Sequence, residues 1–208
     1  MKIAIIGYGA VGSTLAAKWV AAGHQVAFGA RDPLADKVKA VLDRIPGARA
    51  ASIAAAAESA EVVVLTTPWH ATEAAVAACR DLSGKIVLDC TNPLRSDLSG
   101  LSIGHDTSAG EQVQAWAQGA SVAKVFNSTG ANNMEDPNYG GQAATMFYCA
   151  DDKDAKQAAH QLAADCAFDP VDVGPLRQAR LLEPLAMLWI SMAFSGYGRD
   201  FCFKLLRR

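Results

Sequence analysis

Lys2-Ile3-Ala4-Ile5-Ile6-Gly7-Tyr8-Gly9-Ala10-Val11-Gly12 decides the fold. Ile3 to Ile6 is a short apolar run rich in β-branched residues, the pattern of a buried strand. A glycine turn follows at once. Ser13 to Ala22 then reads as an Ala-rich helix closed by Gly23. Strand, glycine turn and helix in that order make the dinucleotide-binding fingerprint in its proper setting. Gly7 makes the tight turn, Gly9 lets a pyrophosphate approach the backbone, and Gly12 lets the helix pack on the strand. The helix N-terminus offers free N–H groups and a partial positive charge to the phosphates. Gly7, Tyr8, Gly9, Ala10, Val11 and Gly12 are therefore the expected cofactor-binding turn. The plain alternative is an ordinary strand–helix turn.

The next strand, Gln25 to Gly29, ends in Gly29-Ala30-Arg31-Asp32-Pro33. An enzyme that uses NAD places a carboxylate about 20 residues past the glycine turn, to accept from the ribose 2′-OH. Here Ala30 and Arg31 occupy that strand end. A guanidinium attracts a 2′-phosphate where a carboxylate repels it. The pattern favours NADP(H). Asp32 turned inward, or an Arg31–Asp32 surface pair, would read differently.

Further strands are expected at 61–66, 85–89, 121–126, 143–149 and 170–174, with helical patterns between them. Apolar strands alternating with helices predict an α/β, Rossmann-type doubly wound, mostly parallel sheet. In such sheets ligands lie at the carboxyl ends of the strands. Three loops fall there. Thr67-Pro68-Trp69 follows the third strand, and Trp69 either faces the cofactor or caps the sheet. Asn92 follows the fourth, with an amide suited to a ribose or a carboxamide. Asn127 follows the fifth and is the best candidate for orienting a nicotinamide ring. His70 is read as solvated. Ser108 and Glu111 form a capping box that needs no catalytic role. Residues 95–106 read as a weakly patterned loop suited to a lid or a substrate-facing segment.

Residues 1–174 are expected to form the NADP(H)-binding domain. Residues 175–208 differ: Leu, Met, Trp and Phe crowd more than one helical face. That tail is expected to be one or two helices that wall an apolar pocket or contact a second subunit.

Composition narrows the class. The chain has 208 residues, a net charge of −2 and 51% hydrophobic residues. Interspersed charges give no footprint for nucleic acid or a membrane surface. No apolar run reaches the length of a membrane span. The first strand begins too early to leave room for a signal peptide. Five scattered cysteines without a CxxC pair suit a reduced, cytoplasmic protein. No metal site and no catalytic acid, base or nucleophile is assigned.

GYGAVG, GARDP, LTTPW, VLDCTNPL, TSAGEQV, KVFNSTGANNM and VDVGPLRQARLLEPLA together resemble the deazaflavin-dependent NADP reductases (coenzyme F420:NADP oxidoreductases). The NADPH-binding domain of the six-transmembrane metalloreductases is similar too. The resemblance spans nearly the whole chain. It implies a homodimer that passes hydride directly between NADP(H) and a deazaflavin or flavin, with a small-molecule redox partner and no metal. The family's 2′-phosphate site uses a Ser-Arg pair; Arg31 matches the arginine, and Ala30 replaces the serine. Some archaeal members carry a histidine after the fifth strand, where Phe126-Asn127 here is closer to the metalloreductase pattern. Two other classes stay open on the residues alone: an NADPH-dependent reductase of small carbonyl or imine compounds, and a non-enzymatic NADP(H) sensor.

Overall fold

The computed structural model describes residues 1–208. The apolar run at the start forms β1 (Lys2–Ile6), and the glycine turn leads into α1 (Ala10–Ala21). There follow β2 (Gln25–Ala30), α2 (Asp36–Arg44), β3 (Arg49–Ser52), α3 (Ile53–Ser59), β4 (Val62–Leu65) and α4 (Trp69–Ala78). The second half holds β5 (Ile86–Asp89), α5 (Ala109–Trp116), β6 (Ser121–Lys124) and α6 (Ala131–Glu135). It closes with the hairpin β7 (Asn138–Tyr139) and β8 (Gln142–Ala143), then β9 (Thr145–Ala150), α7 (Lys153–Asp165), β10 (Asp169–Asp172) and α8 (Ala179–Met192).

Eight strands form one sheet in the order β10-β9-β6-β5-β4-β1-β2-β3. β1 to β6 are parallel, and β9 joins antiparallel to β6 with β10 parallel to β9. From β1 the chain first builds outward through β2 and β3, then crosses back to place β4 on the other side of β1. That reversal makes the crevice at the carboxyl ends of β1 and β4 the natural ligand site.

Side-chain alternation in β1 shows how both faces are buried. Ile3 and Ile5 point into a core with Trp19, Phe28, Phe126, Leu162 and Phe168. Ala4 and Ile6 point into a second core with Val63, Leu65, Val76, Val113 and Leu182. Trp19 also donates from its indole to the Leu162 carbonyl at 3.0 Å, which ties α1 to α7.

Several elements depart from the expected pattern. β3 is a further edge strand, half exposed and only four residues long, so it carries no strong apolar run. Ser52 then caps α3, accepting from the Ala55 N–H at 3.3 Å. Gly140-Gly141 forms the tip of the β7–β8 hairpin, with both glycines at positive φ. The tail contains one α-helix, α8, and a π-helical turn at Ala193–Tyr197. Residues 199–208 are non-helical and fold back instead. Phe201 accepts the Trp189 indole N–H at 2.8 Å, and the Thr145 N–H donates to Phe203 at 3.0 Å.

The helix α8 is fixed by a buried ionic cluster. Lys124, at the end of β6, lies fully buried 2.9 Å from Asp89 and 2.8 Å from Glu183 of α8. Its third proton goes to the Thr91 carbonyl at 2.6 Å. Glu183 also accepts the N–H groups of Ala109 and Gly110 at 3.0 and 3.1 Å, at the positive N-terminus of α5. Burial alone would lower the Lys124 pKa; the two carboxylates outweigh it and hold the ammonium above its ordinary value.

Lys124→Met leaves two buried carboxylates without their cation. It should cost about 3–5 kcal/mol in urea denaturation at neutral pH. In the unaltered protein, the raised pKa makes this contribution complete at neutral pH. It is lost only as pH rises beyond about 10.4 toward the folded-state value. A denaturation series from pH 7 to 11 reads that slope.

Candidate functional site

The crevice is built outward from the glycine turn. Gly7 has φ +118°, open to glycine and strained for other residues. The Thr66 hydroxyl, just past β4, donates to the Gly7 carbonyl at 2.9 Å and so braces the turn. A Cβ on Gly12 would collide with that same carbonyl oxygen and sit 2.7 Å from Thr66 Oγ1. Gly12 is thus demanded by the turn itself, not by a strand side chain. Thr66 is a part of the site that the sequence reading missed; a threonine closing an apolar strand is its only signal.

Gly9 answers a different need. A Cβ there would meet nothing within 4 Å, so it would project into the open crevice. Gly9 is also the N-cap of α1 and offers no side-chain cap. The first N–H groups of a twelve-residue helix therefore face the cradle without a side-chain acceptor at the cap. Ala10 starts the helix, while Tyr8 and Val11, both half-buried, pack against the core. These residues fit a pyrophosphate.

At the end of β2, Ala30 is buried and Arg31 is exposed. Arg31 takes part in no ion pair. Asp32 is occupied locally: its carboxylate accepts the Leu34 N–H at 3.0 Å. Both simpler readings of the Arg-Asp pair thus lack support in the geometry. The guanidinium stands free beside the strand end, where the adenosine ribose of a dinucleotide lies in this fold.

After β4, Thr67 Oγ1 lies 3.0 Å from Thr72 Oγ1, and Pro68 caps α4 from an exposed position. Trp69 is stacked on Trp116 of α5, with ring centroids 5.3 Å apart. It also packs, partly buried, against the second core. His70 is exposed.

Beyond β5 and β6 two asparagines lock together. Asn92 Nδ2 donates to the Asn127 main-chain carbonyl at 2.8 Å, and Asn127 Nδ2 donates back to Asn92 Oδ1 at 3.0 Å. Asn127 Nδ2 also reaches the Leu182 carbonyl of α8 at 2.9 Å. Asn127 Oδ1 is buried and has no donor. A buried acceptor without a partner is costly, so this atom fits a donor supplied by a ligand, such as a carboxamide N–H. Phe126 turns the chain into position with φ +57°, an uncommon conformation for an aromatic residue. Its ring returns to the core, edge-on to Trp19 and Phe168 at 5.7 and 6.3 Å.

Near this edge, Ser108 caps α5 by accepting the Glu111 N–H at 3.1 Å. Glu111 is held in turn by Arg180 at 2.9 and 2.7 Å. The Arg180 hydrogen bonds keep the Glu111 carboxyl below its ordinary range. Cys90 is buried, and burial pushes its thiol well above the usual value, which removes it as a nucleophile.

Two glycine substitutions separate scaffold from cradle. Gly12→Ala should lower stability by about 1–3 kcal/mol, because the turn must shift. Gly9→Ala should leave the melting temperature within a degree or so of the parent and weaken dinucleotide binding, since its Cβ enters only the cradle. Thermal melts and a fluorescence titration with NADPH and NADH measure both.

Residues 2–93 match the family described as NADP oxidoreductase, coenzyme F420-dependent. The F420-dependent NADP reductase of Methanothermobacter marburgensis is 32% identical, with 96% of each chain covered. The metalloreductase STEAP3 of Rattus norvegicus is 26% identical over 97% of this chain but only 40% of its own. A crystal structure from Arthrobacter sp. FB24, provisionally described as an F420-dependent NADP reductase, superimposes with a TM-score of 0.90 at 34% identity over the whole of both chains. An imine reductase from Aspergillus terreus shares the fold, at TM-score 0.70 and 20% identity. Glycine cradle, sheet order and full-length similarity agree: this chain belongs to the family of F420-dependent NADP reductases.

Proposed function

We propose that this chain is an oxidoreductase that passes a hydride between NADP(H) and coenzyme F420. The unpaired Arg31, with Asp32 turned to its own loop, is the observation that supports NADP(H) over NAD(H). The acceptor follows from the family. Bound, the nicotinamide supplies or takes the hydride. The chain supplies position. The Thr66-braced turn and the α1 N-terminus hold the pyrophosphate, and Arg31 pairs with the 2′-phosphate. Asn127 Oδ1 orients the carboxamide, with Asn92 and the Leu182 carbonyl fixing the asparagine. Thr67 and Pro68 line the crevice mouth. Trp69 forms part of its wall through its stack on Trp116. Carbon-to-carbon hydride transfer needs the reacting atoms held about 3–3.5 Å apart, and positioning is most of the catalytic task.

Stopped-flow oxidation of bound NADPH tests this. Rapid oxidation by F420 is expected; oxidation by free FAD or FMN alone would move the protein to the metalloreductase-like branch. Arg31→Ala should weaken NADPH at least about ten-fold and NADH less than two-fold, as loss of a charge-assisted contact predicts. Equal weakening would remove the phosphate role from Arg31.

The quaternary state is also part of the reading. Leu181 and Leu188 are 66% and 51% exposed two turns apart on α8, and Phe194 and Tyr197 of the π turn that follows are 76% and 70% exposed. Exposed apolar side chains gathered in this segment suit a second copy of the chain. Residues 175–208 would then serve as the dimer contact while walling the pocket of residues 1–174. Leu188→Arg should convert a dimer to a monomer in sedimentation velocity; an unchanged sedimentation coefficient would place the interface elsewhere. The five unpaired cysteines, four of them buried, support a reducing cytoplasmic setting.

A further inference from the structure

The loop after β6 carries Asn127, and the end of the chain grips that loop. Residues 199–205 fold back onto it as a strap. Gly196 and Gly198, at φ +103° and +72°, turn the chain out of the π-helical segment and into this course. The far end of the strap is tied to β9. The Thr145 N–H donates to the Phe203 carbonyl at 3.0 Å, and the Leu205 N–H donates to the Thr145 hydroxyl oxygen at 3.0 Å. Lys204 pairs with Asp169 at 2.6 Å.

The near end is tied by Asn133 of α6, which is 2% exposed. Its Nδ2 faces three acceptors: the Arg199 and Phe201 carbonyls at 3.0 and 2.9 Å, and Thr129 Oγ1 at 2.9 Å. Its Oδ1 accepts from the Tyr139 hydroxyl and from Asn132 Nδ2, each at 2.8 Å. A buried amide engaged at both polar atoms is a rigid, specified joint. Thr129 Oγ1 also lies 3.1 Å from Cys202 Sγ of the strap. Trp189 of α8 closes the grip from the other side. Its ring stacks on Phe201 with centroids 5.2 Å apart, and a Cβ on Gly130 would lie 2.9 Å from that same ring. Thr129 and Gly130 are thus held between α8 and the strap.

The grip falls just beyond Asn127, and the strap also borders the cradle. A cavity of about 440 Å³ is lined by Ala10 and Thr14 from the first turn of α1 and by Asn132 and Arg199. We propose that the strap is a clasp for the nicotinamide half of the cofactor, and that Thr129 and Asn133 are positioning residues that act through Asn127. The inference rests on the reading above in which Asn127 Oδ1 receives the carboxamide. A loop free to shift carries that oxygen out of place, and a misplaced acceptor forfeits its hydrogen bond. The 2′-phosphate is assigned to Arg31 at the end of β2, which lies across β5, β4 and β1 from this loop. The clasp should therefore be felt by one half of the dinucleotide and not by the other.

The test compares NADPH with 2′,5′-ADP, which carries the adenosine half and the 2′-phosphate but no nicotinamide. Parent protein, Thr129→Val, Thr129→Ser and Asn133→Ala are titrated with both, and each is melted thermally. Thr129→Val keeps the branched shape and deletes the hydroxyl that joins loop to clasp; Thr129→Ser restores it. Thr129→Val should weaken NADPH about five-fold and leave 2′,5′-ADP within about two-fold, as the loss of one hydrogen bond predicts. Asn133→Ala should weaken NADPH about ten-fold with the same indifference to 2′,5′-ADP. Thr129→Ser should bind NADPH as the parent does. If Asn133→Ala does not fold, the Thr129 pair decides alone. Both ligands weakened alike, neither weakened, or no recovery in Thr129→Ser would overturn the clasp and leave the Asn127 reading intact. A parent protein that binds NADPH no more tightly than 2′,5′-ADP would overturn the Asn127 reading, and the clasp with it.

Discussion

The edge of the sheet where β5, β6, α5 and α8 meet depends on one buried ammonium. Lys124 has three protons and three acceptors: Asp89, Glu183 and the Thr91 carbonyl. Asp89 is satisfied on its other oxygen by the Thr91 N–H and hydroxyl, at 2.9 and 2.7 Å. Glu183 is satisfied by two backbone N–H groups of α5. Desolvating three charges is expensive, and a half-satisfied cluster would destabilise the fold. Here every member is paired, so the cluster's cost is offset and its geometry is specified. The consequence is positional. One bond network joins the ends of β5 and β6, the start of α5 and the second turn of α8. An apolar replacement could pack those elements, but it would not set the rotation of α8 that aims the Leu182 carbonyl at Asn127.

That carbonyl matters because Asn127 sits at the end of an unusual backbone. Phe126 adopts a left-handed conformation that costs free energy in a bulky residue. Its ring lies between Trp19 and Phe168, and this packing holds the residue there. The strain turns the chain so that ring and amide part company: Phe126 enters the core and Asn127 meets Asn92. A side chain held by two partners, with one carbonyl oxygen left unpartnered, is a preorganised acceptor rather than a flexible one.

Much of this was legible in the residues. The glycine fingerprint and the apolar runs located β1, β2, β4, β5 and β6, because a strand buried on both faces needs an almost unbroken apolar sequence. β3 was not legible, since an edge strand of Arg49-Ala50-Ala51-Ser52 has no such need. The fold-back after Gly198 was not legible either, because Phe201 and Phe203 read as helical grease until Trp189 and Thr145 are seen to bond that segment. The same limit hid the ionic cluster. Lys124 at a strand end and Glu183 in an apolar helix each look like surface charges, and nothing local reveals that they meet. Thr66 was missed for a related reason: its function is to brace a turn on another strand. Asn92 and Asn127 were found singly, by position at strand ends, and their mutual pairing appeared only in three dimensions.

The two sides of the crevice are built by different means, and this bears on how such a sheet changes partners. The pyrophosphate side uses backbone: a turn, a helix terminus and glycines that exclude side chains. Those features are set by the path of the chain and tolerate little variation. In the reading proposed above, the acceptor side uses side chains on α8 and the loop after Asn92, carried by one ionic cluster and one asparagine pair. The fold shared with imine reductases at 20% identity includes the first side as a matter of topology. This chain covers 63% of the length of that imine reductase, so the longer protein has further chain with which to shape its substrate pocket. In this structure α8 and the loop after Asn92 stand at the corresponding edge, and the Lys124 cluster joins both to the sheet.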